Sequence, residues 1–233
     1  MWELLGSERK GQIGRRAVVE KAFRMPDGSQ AVFTVTGDAS NRAVACVALT
    51  PRGTVVLAEQ YRPGPGRVMT ELPGGGVDPG ESLAQGAARE LAEETGYVPA
   101  ELSYLGEMRY DAYYGGSRDY FLATGCERRQ EQELDPAEFV TVREVTPADL
   151  VTLAMTGGMT DPGGVLLALP HLMGDPGVRQ IFMHLPALRR RIAGQLLAGR
   201  HPALSDGLIL PPSPLTERAR SFARARTFGH MNL

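Results

Sequence analysis

The stretch RELAEETG, residues 89–96, sets three glutamates within five positions on a segment with helical grammar. Like charges three and four apart on a helix are neighbours and cost roughly a few tenths of a kcal/mol per pair. At ~100° per residue with Glu90 at the origin, Glu94 falls about 40° to one side and Glu93 about 60° to the other. Ala84, Ala88, Leu91 and Thr95 gather on the far side, which predicts that this small apolar face is the buried one. Arg89 lies one turn before Glu93, placed for an i,i+4 ion pair, and Gly96 offers a C-terminal stop. Three carboxylates this close raise one another's pKa. A hard divalent cation removes the conflict, because Mg²⁺ accepts carboxylate oxygens and keeps waters or phosphate oxygens in its shell. The crowding therefore reads as a metal site; on the glutamates alone, a solvated acidic helix face is the alternative.

At 233 residues the chain has room for one main domain with an appended piece. A net charge of -2 provides no field that would gather nucleic acid or an anionic membrane. The two cysteines, Cys46 and Cys126, sit in apolar stretches without metal-like spacing, which predicts buried thiols in a reducing compartment, the cytoplasm. The start, MWELLGSERK, lacks a signal-peptide pattern, and no run approaches the ~20 apolar residues of a membrane helix. A soluble protein without a membrane partner is expected.

RRAVVEKAF and QAVFTVTG flank the turn chemistry of RMPDGS, so residues 15–37 read as a hairpin. RAVACVALT and TVVLAEQYR flank PRG and read as a second one. A short strand and a Gly/Pro-rich loop, RVMTELPGGGVDPGES, lead into the acidic helix. LSYLGEMRY, RDYFLATG and EFVTVREV are further strands. TPADLVTLAMTGG and DPGGVLLALPHLMG carry helix start and stop signals. PALRRRIAGQLLAG is a last helical piece, followed by a linker, LPPSPL, and a basic end, TERARSFARARTFGH. Strands around one helix, then a helical C-terminal third, predict a mixed α/β or α+β fold.

Reading outward from the glutamates, GGVDPGESLAQGAARELAEETGY runs Gly75, five residues, Glu81, seven residues, Arg89-Glu90-Leu91, one residue, Glu93-Glu94, one residue, Gly96-Tyr97. This resembles the Nudix box, G-x5-E-x7-R-E-U-x-E-E-x-G-U with U apolar or aromatic, at every specified position. EQYRPG (59–64), ELPGG (71–75) and TDPGGVLLAL (160–169) are similar to the ADP-ribose pyrophosphatase branch of that superfamily, over roughly residues 2–172.

The resemblance implies an α/β/α sandwich with a mixed sheet over residues 41–173. An N-terminal antiparallel β region over 1–40, through which the chain would form a homodimer, would precede it, and a helical C-terminal extension over 174–233 would follow. It implies metal-dependent cleavage of the pyrophosphate bond of ADP-ribose or a related nucleotide sugar by water, giving AMP and a sugar phosphate. Mg²⁺ or Mn²⁺ would be held by Glu90 and Glu94, with Glu93 as a third or water-mediated ligand and the carbonyl of Gly74 completing the shell. Glu93 and Glu94 would take part in catalysis. Glu138, which precedes the apolar run FVTV and is chosen over Glu131, Glu133 and Asp135, would be the general base or a further metal contact. Arg62 would contact the phosphates or adjoining ribose, apt for a planar fork of donors. Glu71 would line the cleft, and Trp2 could stack on a base in the partner's pocket. Gly75, Glu81, Arg89 and Gly96 would be structural within the box.

The ADP-ribose branch usually has a Pro about sixteen residues past the box. Here Tyr113 and Tyr114 stand there as candidate substrate contacts, and they resemble the diadenosine polyphosphate hydrolases, which is the alternative activity. A nucleotide-binding or sensing module without catalysis is the second alternative. Arg218, Arg220, Arg224 and Arg226 are few for nucleic-acid affinity, so the basic tail is expected to pack on its own protein.

Overall fold

The structure, a computed structural model, describes residues 1–184 apart from 15, 39 and 110. Its first layer is a three-stranded antiparallel sheet of β1 (Glu3–Ile13), β2 (Arg16–Arg24) and β3 (Gln30–Thr36), in that order. The β2–β3 turn is the one the Pro-Asp-Gly chemistry predicts: Gly28 takes φ 88° and its N–H donates to Met25 O at 2.9 Å. β1 is exposed along its whole length; no local pattern marks it as a strand, and only the resemblance implies β structure there.

Next come β4 (Arg42–Leu49), β5 (Val55–Arg62), β6 (Arg67–Glu71), the helix α1 (Leu83–Thr95), and the strands β7 (Tyr97–Val98), β8 (Glu101–Met108), β9 (Ser117–Thr124), β10 (Glu127–Arg128) and β11 (Thr141–Val145). The helices α2 (Pro147–Met155) and α3 (Pro162–Leu172) follow, and residues 176–184 are helical. The main sheet runs β11-β5-β4-β9-β8 with β6 beside β5; β4 and β9 are parallel and the other pairs antiparallel.

β4 shows why the layers form. Its continuous apolar run is what a strand covered on both faces requires. Val44, Cys46 and Ala48 face α1 with Ala87, Leu91 and Phe121, whereas Ala45 and Val47 join Leu150, Val165, Ala168 and Val178 from the helices opposite. The result is an α/β/α sandwich with the N-terminal sheet attached. Attachment runs through Thr36, whose N–H donates to Tyr113 O at 2.9 Å while its carbonyl accepts from Gly115 N–H at 2.8 Å. Among the described residues no helix is long and apolar enough to cross a membrane. Both cysteines are free and buried.

Several expectations are corrected. The second hairpin pairs only at Ala48↔Val56 and Leu49↔Val55. Beyond those two pairs β4 leaves β5, and the chain after β6 enters the gap: Cys46 N–H donates to Pro73 O and Val44 N–H to Gly75 O, both at 2.9 Å. On α1 the buried apolar positions are Ala87, Leu91 and Thr95, while Ala84 in the first turn is exposed and Ala88 half-buried. Phe139 lies outside its predicted strand, which starts at Thr141, and is 84% exposed. The predicted helix PALRRRIAGQLLAG, the linker LPPSPL and the basic tail fall outside the described residues.

The gap-filling segment depends on missing side chains. A Cβ on Gly74 would fall on the carbonyl oxygen of Val44 and 2.6 Å from Ala45 Cα, both backbone atoms that cannot turn aside, whereas a Cβ on Gly76 meets open space. Gly74→Ala is expected to lower unfolding stability by about 1–3 kcal/mol or more, as overpacking does, and Gly76→Ala to leave it nearly unchanged; urea denaturation of the two variants checks this.

Candidate active site

The site is built on α1 and the loop that delivers it. Ser82 caps the helix: its hydroxyl accepts from Gln85 N–H at 3.3 Å and Gln85 Oε1 accepts from Ser82 N–H at 3.0 Å, a reciprocal box that sets where the first turn starts. Gly96 ends the helix at φ 76°, its N–H donating to Ala92 O at 2.8 Å.

Arg89 is the hub of the box. Its Nε donates to Glu81 Oε1 at 2.9 Å and its Nη2 to Glu81 Oε2 at 3.0 Å and to Gly76 O at 2.9 Å. Nη1 reaches Glu90 Oε1 at 3.0 Å and Glu93 Oε2 at 2.9 Å, the latter the i,i+4 pair. Hydrogen bonding to Glu81 pushes the guanidinium up and draws the Glu81 carboxyl down. Glu90 goes the other way: burial raises it most, Arg89 opposes, and the charges of Glu93 and Glu138 add to the rise. Its carboxylate lies where a Cβ on Gly75 would come within about 2.5 Å, so glycine there makes room for it.

Glu94 differs from its neighbours. It is only 4% exposed, and Oε2 accepts from the Gly74 N–H at 2.8 Å, with Gln60 Nε2 3.4 Å from Oε1. Burial pushes this carboxyl up to about 8; the Gly74 bond and Arg62 pull it down, Glu90 and Glu138 push it further up. Arg62 on β5 and Glu71 on β6 meet beside it in a two-point pair, Nε to Oε1 at 2.7 Å and Nη2 to Oε2. Glu138 sits on the loop before β11, where its N–H donates to Asp135 O at 2.8 Å and its Oε2 accepts from Asp135 N–H at 3.3 Å.

The structure thus gathers Gly74, Gly75, Glu81, Arg89, Glu90, Glu93, Glu94, Arg62 and Glu71 along one edge of α1, with Glu138 within electrostatic reach. The contacts of Trp2, Tyr113 and Tyr114 lie in the N-terminal sheet and at its junction with the main one. Trp2 packs on Phe23 and Phe33, ring centroids 6.0 and 6.1 Å away. Tyr113 is exposed, and Tyr114 packs against Gly37 and Gly116 with Arg16 5.0 Å above its ring. Tyr114 also lines a cavity of about 510 Å³ at the junction of the sheets, with Lys21, Val35, Arg109 and Asp111. Gln60 was missed beforehand, although alternation along EQYR puts it on the same face of β5 as Arg62. Gln132, discussed below, has no such signal in its loop.

Among the described residues no three acidic, histidine or cysteine groups converge closely enough, as they stand, to hold a metal ion. The donor chemistry nonetheless suits one. Glu90 and Glu94 are hard oxygen donors whose charged forms are disfavoured by burial and by neighbouring carboxylates, the condition a divalent cation relieves.

A family model described as NUDIX domain matches residues 39–163, more than half of the 233-residue chain. The ADP-ribose pyrophosphatase of Bacillus subtilis (strain 168) is 37% identical over 113 residues, 48% of this chain and 61% of the relative. The methanol dehydrogenase activator of Bacillus methanolicus is 32% identical over 106 residues, 45% of this chain and 57% of the relative. The chain therefore spans about three fifths of the length of these relatives. A crystal structure of an ADP compounds hydrolase matches with a TM-score of 0.65 at 20% identity, over 74% of this chain and 95% of that one, a likeness of fold.

The raised Glu94 pKa has a consequence for stability. Between the ordinary glutamate value of 4.5 and about 8 the folded protein holds a proton that the unfolded chain has released, so metal-free stability falls as pH rises through this window. Glu94→Gln removes that fall. In chelator, the melting temperature of the variant relative to wild type is expected to climb between pH 5 and pH 8.5; parallel curves would refute the assignment.

Proposed function

The chain belongs to the NUDIX domain family, and on that premise we propose that it hydrolyses the pyrophosphate bond of ADP-ribose or a related nucleoside diphosphate sugar, giving AMP and a sugar phosphate. The observation that carries this reading is the Glu94 carboxylate, buried in the split of the sheet and fixed by the Gly74 N–H beside Glu90. A sensing module would not need to bury acids at such cost. The ADP-ribose pyrophosphatase among the relatives supports the substrate class.

In this reading Glu90 and Glu94 would hold Mg²⁺ or Mn²⁺, with Glu93 and the Gly74 carbonyl completing the shell. Such a cation supplies charge screening for the diphosphate and a lowered pKa for bound water. Arg89 keeps Glu90 and Glu93 on one side of the helix. Arg62 orients the diphosphate: a guanidinium has five N–H donors, and the pair with Glu71 occupies two of them. Glu71 sets the plane of that fork. Glu138 accepts a proton from the attacking water as the phosphorus–oxygen bond to the leaving phosphate breaks.

The division into residues 1–40, 41–173 and 174–233 is part of the same reading, as is a homodimer in the cytoplasm. The dimer is supported by β1 and the residue before it, where Trp2, Leu4, Leu5 and Ile13 are exposed among the described residues. A second copy covering this sheet would bring Trp2 to the partner's base pocket.

Incubation with Mg²⁺ or Mn²⁺ and ADP-ribose is expected to release AMP, chelator to stop it, and Glu94→Gln to lower kcat by about 10²-fold or more with the circular dichroism unchanged. No AMP from ADP-ribose or any nucleotide sugar, or full activity in the variant, refutes the proposal. A higher kcat/KM for diadenosine polyphosphates would transfer the assignment to that class; tight binding without turnover would make the protein a sensor.

A further inference from the structure

The geometry points to Gln132 as the positioning residue of the Glu138 loop, an inference that rests on Glu138 acting as the base in the reaction proposed above. The segment before this loop runs along the last turn of α1, where helix carbonyls lack intrahelical partners. Arg129 and Gln130 donate their N–H groups to Gly96 O at 2.9 and 3.3 Å, and Glu133 donates to Glu93 O at 2.9 Å. Gln132 does the same with its side chain, and more. Its Nε2 donates to Glu94 O at 2.6 Å and to Val140 O at 3.2 Å. A primary amide has two N–H groups, and both are used here; because both partners are carbonyl oxygens, they also decide which way the amide faces.

The two acceptors tie the start of the loop to α1 and to its own far end. One is the main chain of Glu94, whose carboxylate lies in the site. The other is Val140, where the chain re-enters the core before β11. Residues 133–139 therefore form a loop whose two ends are tied together by one side chain, with Glu138 two residues from the second tie. The loop itself is compact, since Asp135 and Glu138 close a turn with Pro136 at its second position. It has little apolar anchorage: Phe139 points to solvent. Hydrogen bonds at the stem hold it in place of packing, and the Gln132 amide is the one that joins both stems. Glu138 thereby keeps a fixed distance from the backbone of Glu94, and a shift of about 1 Å in such a group can cost 10²-fold in rate.

The test uses the full chain with Gln132→Ala, Gln132→Met, Glu138→Gln and the double variants, and follows kcat, KM, Mn²⁺ affinity without substrate, and amide hydrogen exchange. Methionine keeps the length and bulk and lacks the donors, so both Gln132 variants should behave alike. Each is expected to lower kcat by about 10- to 100-fold with KM and Mn²⁺ affinity unchanged, to speed exchange in 133–139 while α1 stays protected, and to have no further effect on kcat in the Glu138→Gln background. Unchanged kcat in an enzyme that Glu138→Gln disables overturns the role of Gln132 alone. So do multiplying losses in the double variants, or lost protection across α1. Full kcat in Glu138→Gln overturns Glu138 as base and this inference with it.

Discussion

The molecule is organised around a length of bare backbone. Where β4 separates from β5, residues 73–75 take the vacant side of β4 and pair with it through Pro73 O and Gly75 O. Only glycine fits at 74, because Val44 and Ala45 present main-chain atoms at that point, and only glycine at 75 leaves space for the Glu90 carboxylate. The closeness that forbids a side chain also aims the Gly74 N–H at Glu94. One steric condition thus accompanies the opening of the sheet and places a donor in the cleft so formed. Gln60 and Arg62 from β5, Glu71 from β6 and the acids of α1 can meet only because the sheet is split there.

Charge at the site is divided between two regimes. At Glu81 the pair with Arg89 wins, and the carboxyl titrates below its ordinary value. At Glu94 burial wins, and the carboxyl rises to about 8. Glu90 lies between, touched by Arg89 yet raised. Removing one partner from such a buried network leaves an uncompensated charge and is more damaging than its net stabilisation suggests. Arg89 therefore acts as the internal counter-ion of three acids, and a divalent cation would have to share Glu90 and Glu93 with it. Glu94 is under no such claim, which makes it the residue on which metal affinity should depend most.

Much of this was legible in the sequence, and the limits have physical causes. Turn chemistry located the first hairpin, the apolar stretch before PRG located β4, and the spacing of Gly75, Glu81, Arg89, Glu90, Glu93, Glu94 and Gly96 located the helix and its stops. The family follows from the same spacing. What failed was tertiary. A helical wheel assigns Ala84 to the buried face because it knows angle but not height, and Ala84 in the first turn of α1 is exposed. The second hairpin looked complete since local pattern cannot reveal that a glycine segment from fifteen or more residues later displaces half of its pairing. Sequence position alone could not show that Tyr113 and Tyr114 contact Thr36, Gly37 and Arg16 at the joint between the sheets. Gln132 has no motif, and neither it nor Gln60, which lies inside EQYRPG, shows from sequence which carbonyl or carboxylate stands opposite it.

The pair between Arg62 and Glu71 bears on how a phosphate could be recognised here. Glu71 is buried and Arg62 is partly open to solvent, so the carboxylate lies inside and holds a guanidinium that solvent can reach. Two-point contact fixes the plane of the fork, which a lone exposed arginine would lose to rotamer freedom. The buried pair by itself is weak evidence for stability, given the desolvation of both ions. Its value for the proposed reaction would be orientation, since two bonds to Glu71 leave three N–H donors of Arg62 on a fixed plane. A lysine at 62 could keep the charge and would lose both the two-point clamp and the fixed plane, which is the physical reason why arginine suits the position.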